Sequence, residues 1–449
     1  MSIMAPGGPL WIGAYPSGVA WDWTAPSEPL PAAFERARRD FGQRTCIDFL
    51  DRLYSYEEVG RLIDRAARGL QDLGVAKGTR VGLLLPNTPY FVVLYYAILK
   101  LGAVVVNFDP LAAEPELRRQ VADSGARLMV TLDLKLLLPK LAPALDEGLL
   151  ERVIVCPMAE ILPGRKKLLF TLLKRGERAA MPAGEGYLPF ACLIANDGRF
   201  TPAAIEPAVD LAVLQYTGGT TGTPKAAMLS HANLVANREQ LHAWCPSVER
   251  GREVMLGVLP FFHVFAMTTI MNLGLGLGAT LVLLPRFEIA QMLRAIDRKK
   301  PTLMAGVPAL FNALNLYRQL DRYDLSSLRI CICGGASLPA EVRRTFEART
   351  GCRLLEGYGL SEASPVCTCN PVEGGKDGTI GLPRPGTYIE LRDPERPERA
   401  VPPGEIGEVC VRGPQVMRGY WNRREESAAA FVDGLLRTGD LGIMDEDGY

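Results

Sequence analysis

Between Tyr216 and Lys225 the chain reads Tyr-Thr-Gly-Gly-Thr-Thr-Gly-Thr-Pro-Lys. Three glycines, Gly218, Gly219 and Gly222, let backbone N–H groups approach and wrap phosphate oxygens. Four threonines, Thr217, Thr220, Thr221 and Thr223, add hydroxyl donors, and Lys225 adds a cation suited to polyphosphate. A flexible spacer has no reason to combine one lysine with so many threonines. A loop of the G-x-x-x-x-G-K-[ST] type is excluded, because Pro224 separates the last glycine region from Lys225 and Ala226 replaces the Ser or Thr. The string is a phosphate cradle of another kind, following a predicted strand over Leu211–Tyr216.

This string resembles the signature loop of the adenylate-forming superfamily, which comprises acyl-CoA synthetases, luciferases and peptide-synthetase adenylation domains. The resemblance extends over nearly the whole chain, with further motifs in the family's order. Gly334-Gly335-Ala336-Ser337 follows a predicted strand and precedes a predicted helix, with Ser337 placed to cap and Pro339 in the first turn. Loops at the carboxyl ends of parallel strands are where α/β proteins bind ligands, and the resemblance sets this one against adenine. Glu356-Gly357-Tyr358-Gly359-Leu360-Ser361-Glu362 comes next. There Tyr358 offers adenine a flat face, Ser361 supplies a hydroxyl for the α-phosphate where the family usually has Thr, and Glu362 is a hard oxygen ligand suited to Mg²⁺. The resemblance implies that Glu362 and Thr217 hold the magnesium with the phosphates. Asp440 of Arg437-Thr438-Gly439-Asp440 would bond both ribose hydroxyls, as two carboxylate oxygens can. His263 of Pro260-Phe261-Phe262-His263 would lie near the substrate carboxylate. Some long-chain members place a tunnel-gating Trp four residues further on; Met267 stands there, flexible enough to line an apolar tunnel.

The elements that must position these groups alternate. A capping box, Ser55 with Glu58, opens a helix whose apolar residues Val59, Leu62, Ile63, Ala66, Leu70 and Leu73 recur at helical spacing. Strands are predicted at Val81–Leu85, Ala103–Val106, Arg127–Val130, Thr302–Gly306, Leu328–Cys333 and Arg353–Glu356. Helices fall at Pro89–Leu101, Glu116–Ala122, Ala309–Leu320 and Pro339–Thr350. Apolar strands separated by helices predict an α/β fold, with two parallel-type β-sheets sandwiched by helices. After Asn370, dense Pro and Gly and short alternating runs predict a small β-rich, barrel-like subdomain. The approximate subdomains are 1–205, 206–370 and 371–449, and the family's C-terminal domain, which follows a hinge, is expected to be absent.

Val254–Leu284 has no Asp, Glu, Lys or Arg, but Pro260 and Gly274, Gly276 and Gly278 divide it into strand, helix and strand in preference to a membrane span. Gly274-Leu275-Gly276-Leu277-Gly278-Ala279 mimics a dinucleotide fingerprint in the wrong order, helix before strand, and is read as close packing. Lys plus Arg equals Asp plus Glu at 50 each, which gives no support to nucleic-acid binding. The ten cysteines lack C-x-x-C spacing and accompany only three histidines, so free thiols in a reducing cytoplasm are expected over a metal cluster. Within 165–178, six basic residues face Glu177 alone, with Leu168, Leu169, Phe170, Leu172 and Leu173 between them. Two readings stay open: contact with an anionic membrane surface, or a helix packing its leucines inward.

The resemblance implies a two-step reaction, in which a fatty acid and MgATP give acyl-adenylate and pyrophosphate, and CoA then takes the acyl group. Leu354–Val366 and Val401–Trp421 look most like bacterial long-chain fatty acid–CoA ligases. The alternatives are a fatty acyl-AMP ligase serving a carrier protein and a non-catalytic ATP- or lipid-binding fragment. Much of the CoA site is expected in the absent domain, so this chain should bind ATP and be a poor catalyst. A homodimer and a cytoplasmic location, peripheral at the inner face of the membrane, are further expectations.

Overall fold

The computed structural model describes residues 9–217 and 224–449. Local rules set the helix Tyr56–Asp72: the Ser55 hydroxyl accepts from the Glu58 N–H at 3.1 Å, and the Glu58 carboxylate accepts from the Ser55 N–H at 2.7 Å. Two orphan donors of the first turn are thereby satisfied, and Val59, Ile63, Ala66 and Leu70 line the buried face. The helix Pro89–Lys100 is buried on every side from Pro89 to Leu99. A helix apolar all round belongs between layers. There Phe91 packs edge-on to Phe261 and the Tyr96 hydroxyl donates to the Asn272 side chain at 3.2 Å.

A seven-stranded sheet runs, in spatial order, Tyr187–Pro189, Arg152–Cys156, Leu128–Leu132, Arg80–Leu84, Val104–Asn107, Leu211–Thr217 and Lys225–Ser230. Its first six strands are parallel and the last is antiparallel. A nine-stranded sheet runs Leu382–Pro383, Val366–Cys369, Arg353–Gly359, Ile330–Cys333, Leu303–Gly306, Val254–Gly257, Thr280–Leu283, Thr45–Phe49 and Arg52–Ser55. Parallel pairing joins Arg353–Gly359 through to Thr45–Phe49, and the outer strands are antiparallel. Tyr388–Arg392, Ile406–Arg412, Leu435–Ile443 and Phe431–Val432 form a third, fully antiparallel sheet. The fold is α/β, with two parallel-type sheets flanked by helices and a small antiparallel sheet. Sheet membership does not follow the divisions drawn at 205 and 370. Thr45–Ser55 joins the nine-stranded sheet, Leu211–Ser230 completes the seven-stranded one, and Val366–Pro383 extends the nine-stranded one. Strand pairing is decided by distant partners, which composition along the chain does not reveal.

The charge-free run resolves as read: strand Val254–Gly257, a helix from Val264 to Leu277 and strand Thr280–Leu283. Among the described residues no helix is long and apolar enough to cross a membrane. The glycine repeat is close packing. A Cβ at Gly274 would stand 2.6 Å from the Met255 sulfur, and one at Gly278 2.2 Å from the Phe41 ring. The expected helix Ala309–Leu320 is shorter, Pro308–Asn315. The inward-packing reading of 165–178 does not hold: in the helix Gly164–Leu173, Leu168, Leu169, Leu172 and Leu173 are all exposed.

One buried histidine makes stability depend on pH. His231 begins the helix His231–Trp244, and its Nδ1 accepts from the Leu30 N–H at 3.2 Å. Burial lowers its pKa from 6.5 to about 4, against a partial upward pull from Asp210. A depressed pKa means the unfolded chain binds the extra proton first, so stability is full above about 6.5 and is lost as pH falls towards 4. The loss is worth about 3 kcal/mol across that window. In chemical denaturation at pH 7 and pH 5, the parent should lose more stability than His231→Asn does. Equal losses in the two proteins would remove His231 as the cause.

Candidate active site

The strands Leu211–Thr217 and Lys225–Ser230 run antiparallel with Thr217 opposite Lys225, and the Thr217 hydroxyl donates to the Lys225 carbonyl at 3.4 Å. Gly218, Gly219, Thr220, Thr221, Gly222 and Thr223 lie outside the described residues; Pro224 and Lys225 resume the chain. The Lys225 ammonium sits 5.3 Å from the centre of the Tyr420 ring, a distance at which a cation is drawn to a π face. Residues 418–421 bring Tyr420 there by pairing with the second strand: the Met228 N–H donates to the Gly419 carbonyl at 2.9 Å, and the Trp421 N–H to the Ala226 carbonyl at 2.8 Å. The Tyr420 hydroxyl then donates to Glu362 Oε1 at 2.9 Å. Burial first, and Glu362 second, raise the pKa of this phenol and keep it a donor. Lys225, Tyr420 and Glu362 thus form one connected group drawn from three distant segments. Tyr420 was not foreseen, since no spacing marks a lone tyrosine near the end of a β-rich stretch.

The Gly334–Ser337 loop and the Glu356–Glu362 string also meet. Gly334 is buried where a Cβ would stand 3.3 Å from the Phe265 ring and 3.4 Å from the Gly357 carbonyl, and Gly335 adopts a φ of +82°. Ala336 and Ser337 are exposed beside them. Ser337 does not cap the following helix: that helix is Ala340–Thr350, and Pro339 occupies the N-cap position without a side-chain bond. The loop is held instead by Glu356, whose buried carboxylate accepts from the Leu338 N–H at 2.9 Å. Burial raises the Glu356 pKa while that N–H pulls it back. Glu356 therefore faces the loop it braces. The strand continues through Gly357, Tyr358 and Gly359, where a loop was expected, because it gains Val366–Cys369 as an antiparallel partner. Leu360 follows, its N–H donating to the Pro365 carbonyl at 3.0 Å, and Ser361 and Glu362 open a short 3₁₀ turn.

Tyr358 reaches the third sheet, where its hydroxyl donates to Asp440 Oδ2 at 2.7 Å. Asp440 is exposed on the strand Leu435–Ile443, just after Gly439. Buried Glu408 fixes that turn. It accepts from Arg437 Nη2 at 2.7 Å and from the Gly439 N–H at 3.0 Å, while the Thr438 hydroxyl donates to the Val409 carbonyl at 2.7 Å. Glu408 is a second positioning residue that the sequence did not mark.

His263 lies at the N-cap of the helix that starts at Val264. Asn87 shapes its turn, accepting from the Phe261 N–H and donating to the Leu259 carbonyl, each at 2.8 Å. Gln215 ties the turn to the phosphate-loop strand by donating to the Phe262 carbonyl at 3.0 Å. The imidazole lies 4.5 Å from the Phe262 ring and opens to solvent. Partial desolvation lowers its pKa, with Asp109 pulling the other way. At neutral pH it is therefore uncharged, able to give one hydrogen bond and accept another. Further along the same helix, Thr269, Ile270 and Leu273 line a narrow apolar cavity with Leu241, Met255 and Ile332. Met267 is fully buried, its sulfur accepting from the Asn107 side chain at 3.3 Å.

The AMP-binding enzyme family profile matches residues 34–421. The long-chain-fatty-acid–CoA ligase of Bacillus subtilis (strain 168) is 39% identical over 443 residues, a match covering 98% of this chain and 79% of that protein. The crystal structure of an anthranilate CoA ligase in complex with anthranoyl-AMP superposes with a TM-score of 0.83 at 26% identity, covering 94% of this chain and 77% of that one. A long-chain-fatty-acid-CoA ligase from Archaeoglobus fulgidus gives 0.81 at 25% identity, covering 97% and 85%. The chain belongs to the AMP-binding enzyme family. Within it, the chain is an ATP-dependent ligase of the acyl-CoA ligase kind.

Proposed function

We propose that this protein activates a long-chain fatty acid with MgATP and that the acyl group passes to CoA. A carboxylate oxygen attacks the α-phosphorus, the bond to the β-phosphate breaks and pyrophosphate leaves. The CoA thiol then attacks the acyl carbon and AMP leaves. The observation that carries the acyl part is the 39% identity, over 98% of this chain, to a long-chain-fatty-acid–CoA ligase. The resemblance to acyl-CoA synthetases assigns His263 to the substrate carboxylate, to which a neutral imidazole can donate. The fatty-acid ligases among the relatives support the same reading.

Thr217, Pro224 and Lys225, with the six residues between, are assigned to the triphosphate; Gly334, Gly335, Ala336, Ser337 and Tyr358 to adenine; Leu360 and Ser361 to the α-phosphate side; Asp440 to the ribose. Glu362 and Thr217 fit Mg²⁺ as hard oxygen donors, one carboxylate and one hydroxyl, which suits an ion bound mostly through substrate phosphates and water. When bound, that ion would neutralise charge on the phosphates. Lys225 adds positive charge beside them, and Tyr420 orients both Lys225 and Glu362.

The test is calorimetric titration with non-hydrolysable acyl-adenylate analogues, palmitoyl- against anthraniloyl-sulfamoyl adenosine. Palmitoyl should bind at least about tenfold more tightly, since burying each methylene is worth about 0.8 kcal/mol. Equal or reversed affinities would sink the fatty-acid assignment and leave an aryl or short acid as substrate.

A further inference from the structure

The helix Gly164–Leu173 buries none of its residues. At 3.6 residues per turn, Leu168, Leu169, Leu172 and Leu173 share one outward face with Arg165, while half-buried Lys167, Phe170 and Thr171 face the body. The four leucines are 61%, 53%, 65% and 75% exposed. Single exposed leucines need no explanation, but four contiguous ones on a ten-residue helix do.

The charges around them divide into two sets. Lys166 pairs with Asp51 at 2.6 Å, Lys167 with Glu160 at 2.8 Å and Arg178 with Asp133 at 3.4 Å, and these pin the helix to the body. Arg165 and Arg175 make no ion pair among the described residues and are exposed. The Glu177 carboxyl is held below its ordinary pKa by Lys174 first and also by Arg286. Arg286 and its neighbour Phe287 are both exposed.

We infer that this surface docks the protein on an anionic lipid bilayer, with the leucines inserted at the headgroup boundary and the free arginines on lipid phosphates. The charge balance selects this occupant. A symmetric contact between two copies would set the same basic patch against itself, whereas an anionic bilayer meets both the cations and the apolar face. The inference does not depend on the proposed substrate.

Co-sedimentation with phosphatidylcholine vesicles, with and without phosphatidylglycerol, tests it at low and high salt. The parent should bind the phosphatidylglycerol vesicles at low salt and be released by high salt. Leu172→Gln/Leu173→Gln should bind at least about tenfold more weakly, and Arg165→Gln/Arg175→Gln should lose the dependence on phosphatidylglycerol. Both variants should keep the parent's thermal midpoint and MgATP affinity, because these side chains touch neither core nor site. Three results would overturn the inference: a parent left in the supernatant, variants that bind as the parent does, or a parent dimer that the leucine changes make monomeric.

Discussion

Asp440→Ala should weaken MgATP binding by about 100-fold in calorimetric titration while leaving the thermal midpoint unchanged. Hydrogen bonds to a charged group are worth about 1.5–3 kcal/mol each, and the carboxylate is assigned to two ribose hydroxyls. The same change removes little from the fold. Asp440 is exposed, and among the described residues its carboxylate accepts one hydrogen bond, from the Tyr358 hydroxyl at 2.7 Å. The turn that carries it is held by Glu408 through Arg437 and Gly439, and Asp440→Ala leaves those bonds in place. Affinity and stability therefore separate at this position, as they would not if Asp440 were structural. An unchanged affinity would show that the ribose lies elsewhere.

Gly359→Ala should produce the opposite pattern, a loss of at least about 3 kcal/mol of stability together with loss of MgATP binding. A Cβ at Gly359 would stand 2.0 Å from the Pro365 carbonyl oxygen and 3.0 Å from Val366 Cα. Both obstacles are backbone, so no rotamer relieves them. That same carbonyl accepts the Leu360 N–H at 3.0 Å, and moving it displaces the start of the turn that carries Glu362. Gly357→Ala is the internal comparison: its nearest obstacle, the Thr368 carbonyl, is 3.2 Å away, close enough to strain but not to block. Denaturation curves should rank the parent above Gly357→Ala, and Gly357→Ala well above Gly359→Ala. If Gly359→Ala matches the parent, this close approach does not set the geometry of the strand.

Much of the framework was legible because it is local. The capping box at Ser55 and Glu58 needs only a spacing of three. The strand–helix–strand division of Val254–Leu284 follows from one proline and three glycines, and the helical run through Pro89–Lys100 from its unbroken apolar character. The positions of the candidate site were legible for a different reason. Glycines, threonines and a lysine packed into ten residues state a chemistry even before a fold is known.

What was not legible depends on who meets whom. Glu356 stands in a string assigned to nucleotide, yet its carboxylate turns to the Leu338 N–H, because the neighbouring parallel strand delivers that loop to it. Ser337 has the right residue type to cap, but the helix begins three residues later. Tyr420 and Glu408 carry no spacing signal and became visible only when remote strands paired. The leucines of 165–178 read equally well as inward or outward, because their pattern alone does not say which side the rest of the protein occupies. Residue type and short-range spacing were enough for the kinds of chemistry, the order of elements and the class of fold. Which carboxylates brace a loop and which apolar residues face water came from the tertiary contacts, because both depend on segments far apart in the chain.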